Sequence, residues 1–114
     1  MKTIIAGSRT LTDSHQVVEA IRSSGFTITE VVSGGCPTGA DHYGELWAAL
    51  NAVPLRRFPA DWNTHGKAAG PIRNAQMAGY ADALIAVWDG KSRGTKNMIE
   101  LARKNGLKVY VHNV

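Results

Sequence analysis

The sequence predicts an α/β fold in which one parallel sheet of five strands lies between two layers of helices, and three observations predict it. Short runs rich in Val and Ile alternate strictly with longer stretches whose apolar positions recur at helical spacing. Most of the runs are apolar almost throughout, as strands are when both faces of a sheet are covered. Consecutive parallel strands need right-handed crossovers, and the intervening helices supply them.

Thr3-Ile4-Ile5-Ala6 is a β-branched run halted at Gly7 and reads as the first strand. Asp13 is a capping residue for a helix with Val17, Val18 and Ile21 on one face, and Gly25 stands just beyond it as a stop signal. Glu30-Val31-Val32-Ser33 is the second strand, closed by Gly34-Gly35. From Gly39 to Asn51, Tyr43, Leu46, Trp47 and Leu50 mark a helix, and Val53 to Phe58 is extended between Pro54 and Pro59 as the third strand. Pro71 suits a first helical turn, with Ile72, Ala75 and Gly79 as a narrow inner face. Ala83 to Val87 is the fourth strand, Thr95 to Asn105 a helix with Met98, Leu101 and Ala102 inward, and Val109-Tyr110-Val111 the fifth strand after Gly106. The result is a Rossmann-like three-layer sandwich, expected as one domain spanning residues 1–114.

Bulk properties narrow the function. No opening segment is long enough for a signal-peptide core or a membrane span, so a cytoplasmic protein without membrane partners is expected. Cys36 is the single cysteine, which excludes an internal disulfide and a Cys-pair zinc site; His15, His42, His65 and His112 share no metal-ligand spacing. Neither a metal nor a cofactor is expected. A net charge of +4 favours an anionic partner, and 12 glycines exceed what core packing asks for.

In open parallel sheets ligands bind outside the carboxyl ends of the strands. The segments there are Gly7-Ser8-Arg9, Ser33 to Gly39, Phe58 to Gly70 and Trp88 to Thr95. Most of the surplus glycine falls in them, and Arg9, Lys67, Arg73, Lys91, Arg93 and Lys96 lie in or beside them. Glycine admits backbone N–H groups to an anion, the following helix offers unpaired N-terminal donors, and arginine adds a bidentate contact. The candidate binding residues are Gly7, Ser8, Arg9, Ser33, Gly34, Gly35, Thr38, Gly39, Asp41, Trp62, Lys67, Arg73, Asn74, Trp88, Gly94 and Thr95. Each has a plainer reading: glycine after a strand as a turn, Arg9 and Arg73 as surface ion pairs, Trp62 and Trp88 as covers for the core edge rather than platforms for a base. Co-location at one sheet edge is what favours a site. Gly-x-Gly-x-x-Gly and Gly-x-x-x-x-Gly-Lys-Ser/Thr are both missing, which argues against a dinucleotide dehydrogenase and a P-loop NTPase.

Three stretches carry a resemblance to a known family: Gly7-Ser8-Arg9, the run Ser33 to Asp41, and the segment from Gly70-Pro71-Ile72-Arg73-Asn74 through Asp82 to Val87 and on to Gly94-Thr95. Over nearly its whole length the chain resembles the SLOG superfamily, and within it the small YspA-like proteins related to cpYpsA. The resemblance implies a Rossmann-like fold, a nucleotide-type ligand across Gly34-Gly35 and Gly94-Thr95, and a homodimer. The superfamily includes the LOG phosphoribohydrolases, whose motifs run Arg-Lys-x-x-x-Met and Pro-Gly-Gly-x-Gly-Thr-x-x-Glu. Arg73 and Met77 look like the first and Gly94-Thr95 like the second, but Asn74 replaces the lysine and the first acid after Thr95 is Glu100.

Binding of a nucleoside monophosphate, an ADP-ribose derivative or a cyclic signal without chemistry is therefore the leading expectation. The alternative is hydrolysis of an N-glycosidic bond, which needs a carboxylate beside an oxocarbenium-like centre. Glu100 and Asp41 are its candidate catalytic residues, with Asp61 and Asp89 behind them. A third reading is single-stranded nucleic acid, as in DprA-type relatives of the superfamily.

Overall fold

The computed structural model describes residues 1–114. Its sheet is five parallel strands in the order β3-β2-β1-β4-β5, with β1 at Lys2–Gly7, β2 at Glu30–Ser33, β3 at Leu55–Arg57, β4 at Ala83–Trp88 and β5 at Lys108–Asn113. The expected fold is the one formed. The helices are α1 (Ser14–Ser24), α2 (Gly39–Leu50), a single-turn α3 (Trp62–His65), α4 (Ala69–Tyr80) and α5 (Arg93–Lys104).

Alternation along the strands builds two cores. Ile4, Val32, Leu84 and Ala86 point to the α4 and α5 face, where they meet Met77, Ala78, Met98 and Ala102. Their neighbours Ile5, Val31, Ile85 and Val87 point to the other face, against Val17, Ala20, Ala40 and Ala48 of α1 and α2. Because the central strands are buried on both sides, the sequence shows them as continuous apolar runs.

Two helices turn differently from their apolar pattern. In α4 the inner residues are Gly70, Asn74, Met77 and Ala78, whereas Ile72, Ala75 and Gly79 face outward. The inner face is set by close approach to the sheet and to α5, and small side chains there leave little hydrophobic signal. In α2 the sheet-facing residues are likewise Gly39, Ala40, Gly44 and Ala48, while Leu46 and Leu50 are exposed, Leu50 to 85%. A Cβ at Gly44 would come within 2.8 Å of Ile5 Cγ2, so this helix packs too tightly on β1 to use large residues. The segment from Pro59 to Gly70 holds α3 and a 3₁₀ turn at Gly66–Ala68, with Asp61 accepting from the Thr64 N–H at 3.1 Å.

Strand order reverses between β1 and β4. Connections run outward to β2 and β3 on one side and to β5 on the other, leaving a crevice above the join.

Candidate functional site

The crevice is a cavity of about 560 Å³ walled by the ends of β1 and β2, the segment after β3, the first half of α4 and the first turns of α5. That size is in the range of small-molecule sites.

Gly7 ends β1 against β4 and α2: a Cβ there would overlap the Val87 carbonyl oxygen and lie 2.9 Å from Ala40 Cβ. Gly39 begins α2 with φ +69°, where a side chain would strike the backbone of Ser8. These glycines let the N-terminus of α2 press onto the β1–α1 turn, and the Ala40 N–H donates to Ser8 O at 3.2 Å.

Arg73 reaches from α4 into the cavity wall. Its Nη1 donates to Gly34 O at 2.7 Å and its Nε to Asn74 Oδ1 at 3.0 Å. A Cβ at Gly34 would stand 2.6 Å from Arg73 Nη1 and 2.9 Å from Asp41 Oδ2, so glycine is what lets both charged groups close on this point. No carboxylate lies within ion-pairing distance of Arg73 or Arg9; the ion pairs in the protein are elsewhere, at Asp13, Glu19 and Glu45. Burial pulls Arg73 below its usual basicity, partly countered by Asp41 and reinforced by Arg9.

Asp41, in the first turn of α2, is the acidic residue lining this cavity. Burial pushes its carboxyl up to about 6, against the opposing pull of the Cys36 N–H at 3.2 Å and of Arg73. Glu45 adds to the rise and Arg9 subtracts from it.

In the Gly34-Gly35 loop, expected as an anion cradle, two of the backbone donors are engaged within the protein. The Gly35 N–H is taken by Ser33 Oγ at 3.0 Å, and the Cys36 N–H by Asp41. Ser33 in turn donates to Glu45 Oε2 at 2.7 Å, and Arg57 grips the other carboxylate oxygen at 2.7 and 3.0 Å. Burial alone would raise the Glu45 carboxyl, but its bonds from Arg57 and Ser33 hold it below the usual range. The loop is braced from behind, and Gly34 makes room for Arg73.

The first turn of α5 also lines the cavity. Ser92 caps this helix, accepting from the Thr95 N–H at 3.5 Å and from Thr95 Oγ1 at 3.0 Å. The N–H groups of Arg93 and Gly94, at the first two helical positions, have no intrahelical acceptor by the geometry of a helix start. Asp89 fixes the preceding turn by accepting from the N–H groups of Lys91 and Ser92, both at 2.8 Å. Asn74 ties α4 to α5, donating to Gly94 O at 3.3 Å and Asn97 Oδ1 at 3.0 Å.

Of the sequence candidates, Gly7, Arg9, Gly34, Gly35, Asp41, Trp62, Arg73, Asn74, Gly94 and Thr95 line the cavity together. Ser33 and Gly39 support it from outside the lining, while Thr38, exposed and without a capping bond to α2, and the exposed Lys67 both lie outside it. Ser8 is buried beneath, its hydroxyl beside Asp89 without completing a hydrogen bond. Trp88 packs on the core and donates Nε1 to Ser92 O at 3.0 Å. Glu100 is exposed and outside the cavity: seven residues into α5, its side chain leaves the helix on the solvent side. Asp61 caps α3. Pro59 and Ala60, which lie in a segment expected to form the crevice, line it as well, and sequence reasoning missed Asn97 and Met98. The α5 pair was detectable as the next inward turn after Gly94.

The strand order and the cavity at its reversal define a Rossmann-like protein with a cationic switch-point crevice. The chain belongs to the YspA, cpYpsA-related SLOG family (YAcAr), whose model matches residues 1–65. It is 37% identical over 120 residues to the Gene 61 protein of Mycobacterium phage D29, covering 95% of this chain and 93% of that one. Among solved structures it is similar to DNA processing protein A (DprA) from Streptococcus pneumoniae, with a TM-score of 0.75, 18% identity and 96% of this chain covered. The chain spans about half the length of DprA, 49% of it.

Proposed function

We propose that this protein binds a nucleotide-derived phosphate ligand in the crevice, as a sensor or sequestering protein, and leaves the ligand intact. The carrying observation is Arg73: a half-buried guanidinium without a carboxylate partner, lining a cavity that also holds Arg9 and the N-terminus of α5. A phosphate seated between them receives charge-assisted bonds from the arginine and backbone bonds from Arg93 and Gly94. Asp41 repels the phosphate and accepts from a hydroxyl, which suits a sugar. The acting unit is the single domain of residues 1–114, as a homodimer in the cytoplasm. No helix is long and apolar enough to cross a membrane.

Hydrolysis of an N-glycosidic bond is the second reading, favoured by one observation. Asp41 lines the cavity with its carboxyl pushed up to about 6, in the range of a general acid or base at neutral pH. Glu100 has no part in it.

The test is incubation of the purified protein with nucleoside monophosphates, ADP-ribose, NAD and cyclic nucleotides, followed by ultrafiltration and chromatography. Intact ligand retained with the protein is the expected result, and free base in the filtrate establishes the second reading. Retention of neither, with salt-sensitive binding of a single-stranded oligonucleotide, moves the function to nucleic acid.

A further inference from the structure

The cavity wall is divided by polarity. Arg9, Asp41 and Arg73 occupy one part, while Pro59, Ala60 and Trp62 bring an apolar surface from the segment after β3. Trp62 is 51% exposed and belongs to neither core cluster, so it covers no core edge, unlike Trp88. Its ring is nevertheless seated. A Cβ at Gly70 would meet Trp62 Cη2 at 3.5 Å, so the indole rests in van der Waals reach of the first turn of α4. The turn that presents it is fixed by the Asp61 cap. Gly70 and Arg73 are three residues apart on α4, so the indole and the guanidinium flank one stretch of the same helix.

From this juxtaposition we infer that Trp62 is the platform on which the base of a free mononucleotide stacks while its sugar phosphate lies against Arg73. The inference rests on the proposed phosphate site and names the other half of its ligand. An exposed indole beside a cationic wall matches a molecule with one flat apolar end and one anionic end. A ligand without a ring would leave the apolar part of the wall uncovered.

The test is calorimetric titration of the wild type, Trp62→Ala and Trp62→Phe with each of the four nucleoside 5′-monophosphates and with ribose 5-phosphate. The wild type is expected to bind at least one nucleotide about tenfold or more tightly than ribose 5-phosphate, the scale of one base–aromatic stack. Trp62→Ala removes that preference and leaves ribose 5-phosphate affinity unchanged; Trp62→Phe keeps most of it. Nucleotide affinity unchanged in Trp62→Ala overturns the stacking role and leaves the phosphate site standing. A parallel loss of ribose 5-phosphate overturns it too, since the ring then shapes the cavity and does not hold a base. If the wild type binds neither compound, the phosphate site falls first and the inference with it. If Trp62→Ala weakens an oligodeoxynucleotide and no mononucleotide, the ring serves a strand and the proposal is wrong.

Discussion

Replacing Asp41 by Asn should stabilise the protein, and only above about pH 4. The carboxyl is raised from 3.8 to about 6 in the folded state, chiefly by burial. The folded protein therefore holds this proton more tightly than the unfolded chain. Below pH 4 both states are protonated and the site costs nothing. Between about pH 4 and 6 the unfolded chain has lost a proton that the folded state keeps, and at about 1.4 kcal/mol per pH unit the accumulated cost reaches on the order of 3 kcal/mol; above 6 the folded state carries the buried charge and the cost stays constant. Asparagine is close in shape, keeps an oxygen for the Cys36 N–H and never ionises. The variant should match the wild type at pH 4 and exceed it at pH 8 by up to about 3 kcal/mol, raising Tm on the order of 10 °C in a domain of this size. Urea unfolding at constant ionic strength, followed by circular dichroism at unit steps from pH 4 to 8, measures the difference. A gap independent of pH, or a wild type more stable at pH 8, would refute the reasoning. The expected gain marks Asp41 as a residue whose charge costs stability, a pattern common in binding and catalytic sites.

Arg73→Ala should weaken a bound phosphate ligand at least tenfold, about 1.4 kcal/mol, without altering the circular dichroism spectrum, as titration with that ligand will show. Gly34→Val displaces the same guanidinium and should cost a similar factor; in the double variant the losses should not add, and additive losses would separate the two residues. Ser92→Ala removes the α5 cap and should lower stability by about 1 kcal/mol in urea unfolding. Glu100→Gln should change neither ligand affinity nor any base release seen by chromatography, because the side chain lies outside the cavity.

The fold was legible because its central strands are buried on both faces and its turns carry glycine. Strand periodicity and stop signals located all five strands to within a few residues, and Asp13 and Gly25 do cap α1 as expected. Helix faces were less legible wherever packing selects small residues. Gly44 and Ala48 in α2, and Gly70 and Ala78 in α4, carry the contact with little hydrophobic contrast, while Leu46, Leu50 and Ile72 point outward. In the crevice, the segments were readable from topology but the division of labour was not. Ser33, Gly35 and Cys36 are spent on one another and on Glu45 and Asp41. That arrangement depends on partners 5 to 12 residues away, beyond the reach of a motif. Glu100 illustrates the same limit: near Gly94-Thr95 in sequence, it is turned away by helical rotation.

The reversal of strand order makes the sheet a join between two consecutive lengths of chain. The length through β3 supplies Arg9, Gly34 and Asp41, and the length from α4 onward supplies Arg73, Asn74 and Gly94. They meet along the β1–β4 seam, paired from Thr3 with Ala83 to Gly7 with Val87. A molecule in the crevice touches both lengths and acts as a clasp over the upper end of that seam. Opening there forces its release, so occupancy should slow amide exchange at the seam's crevice end more than at the far edges β3 and β5.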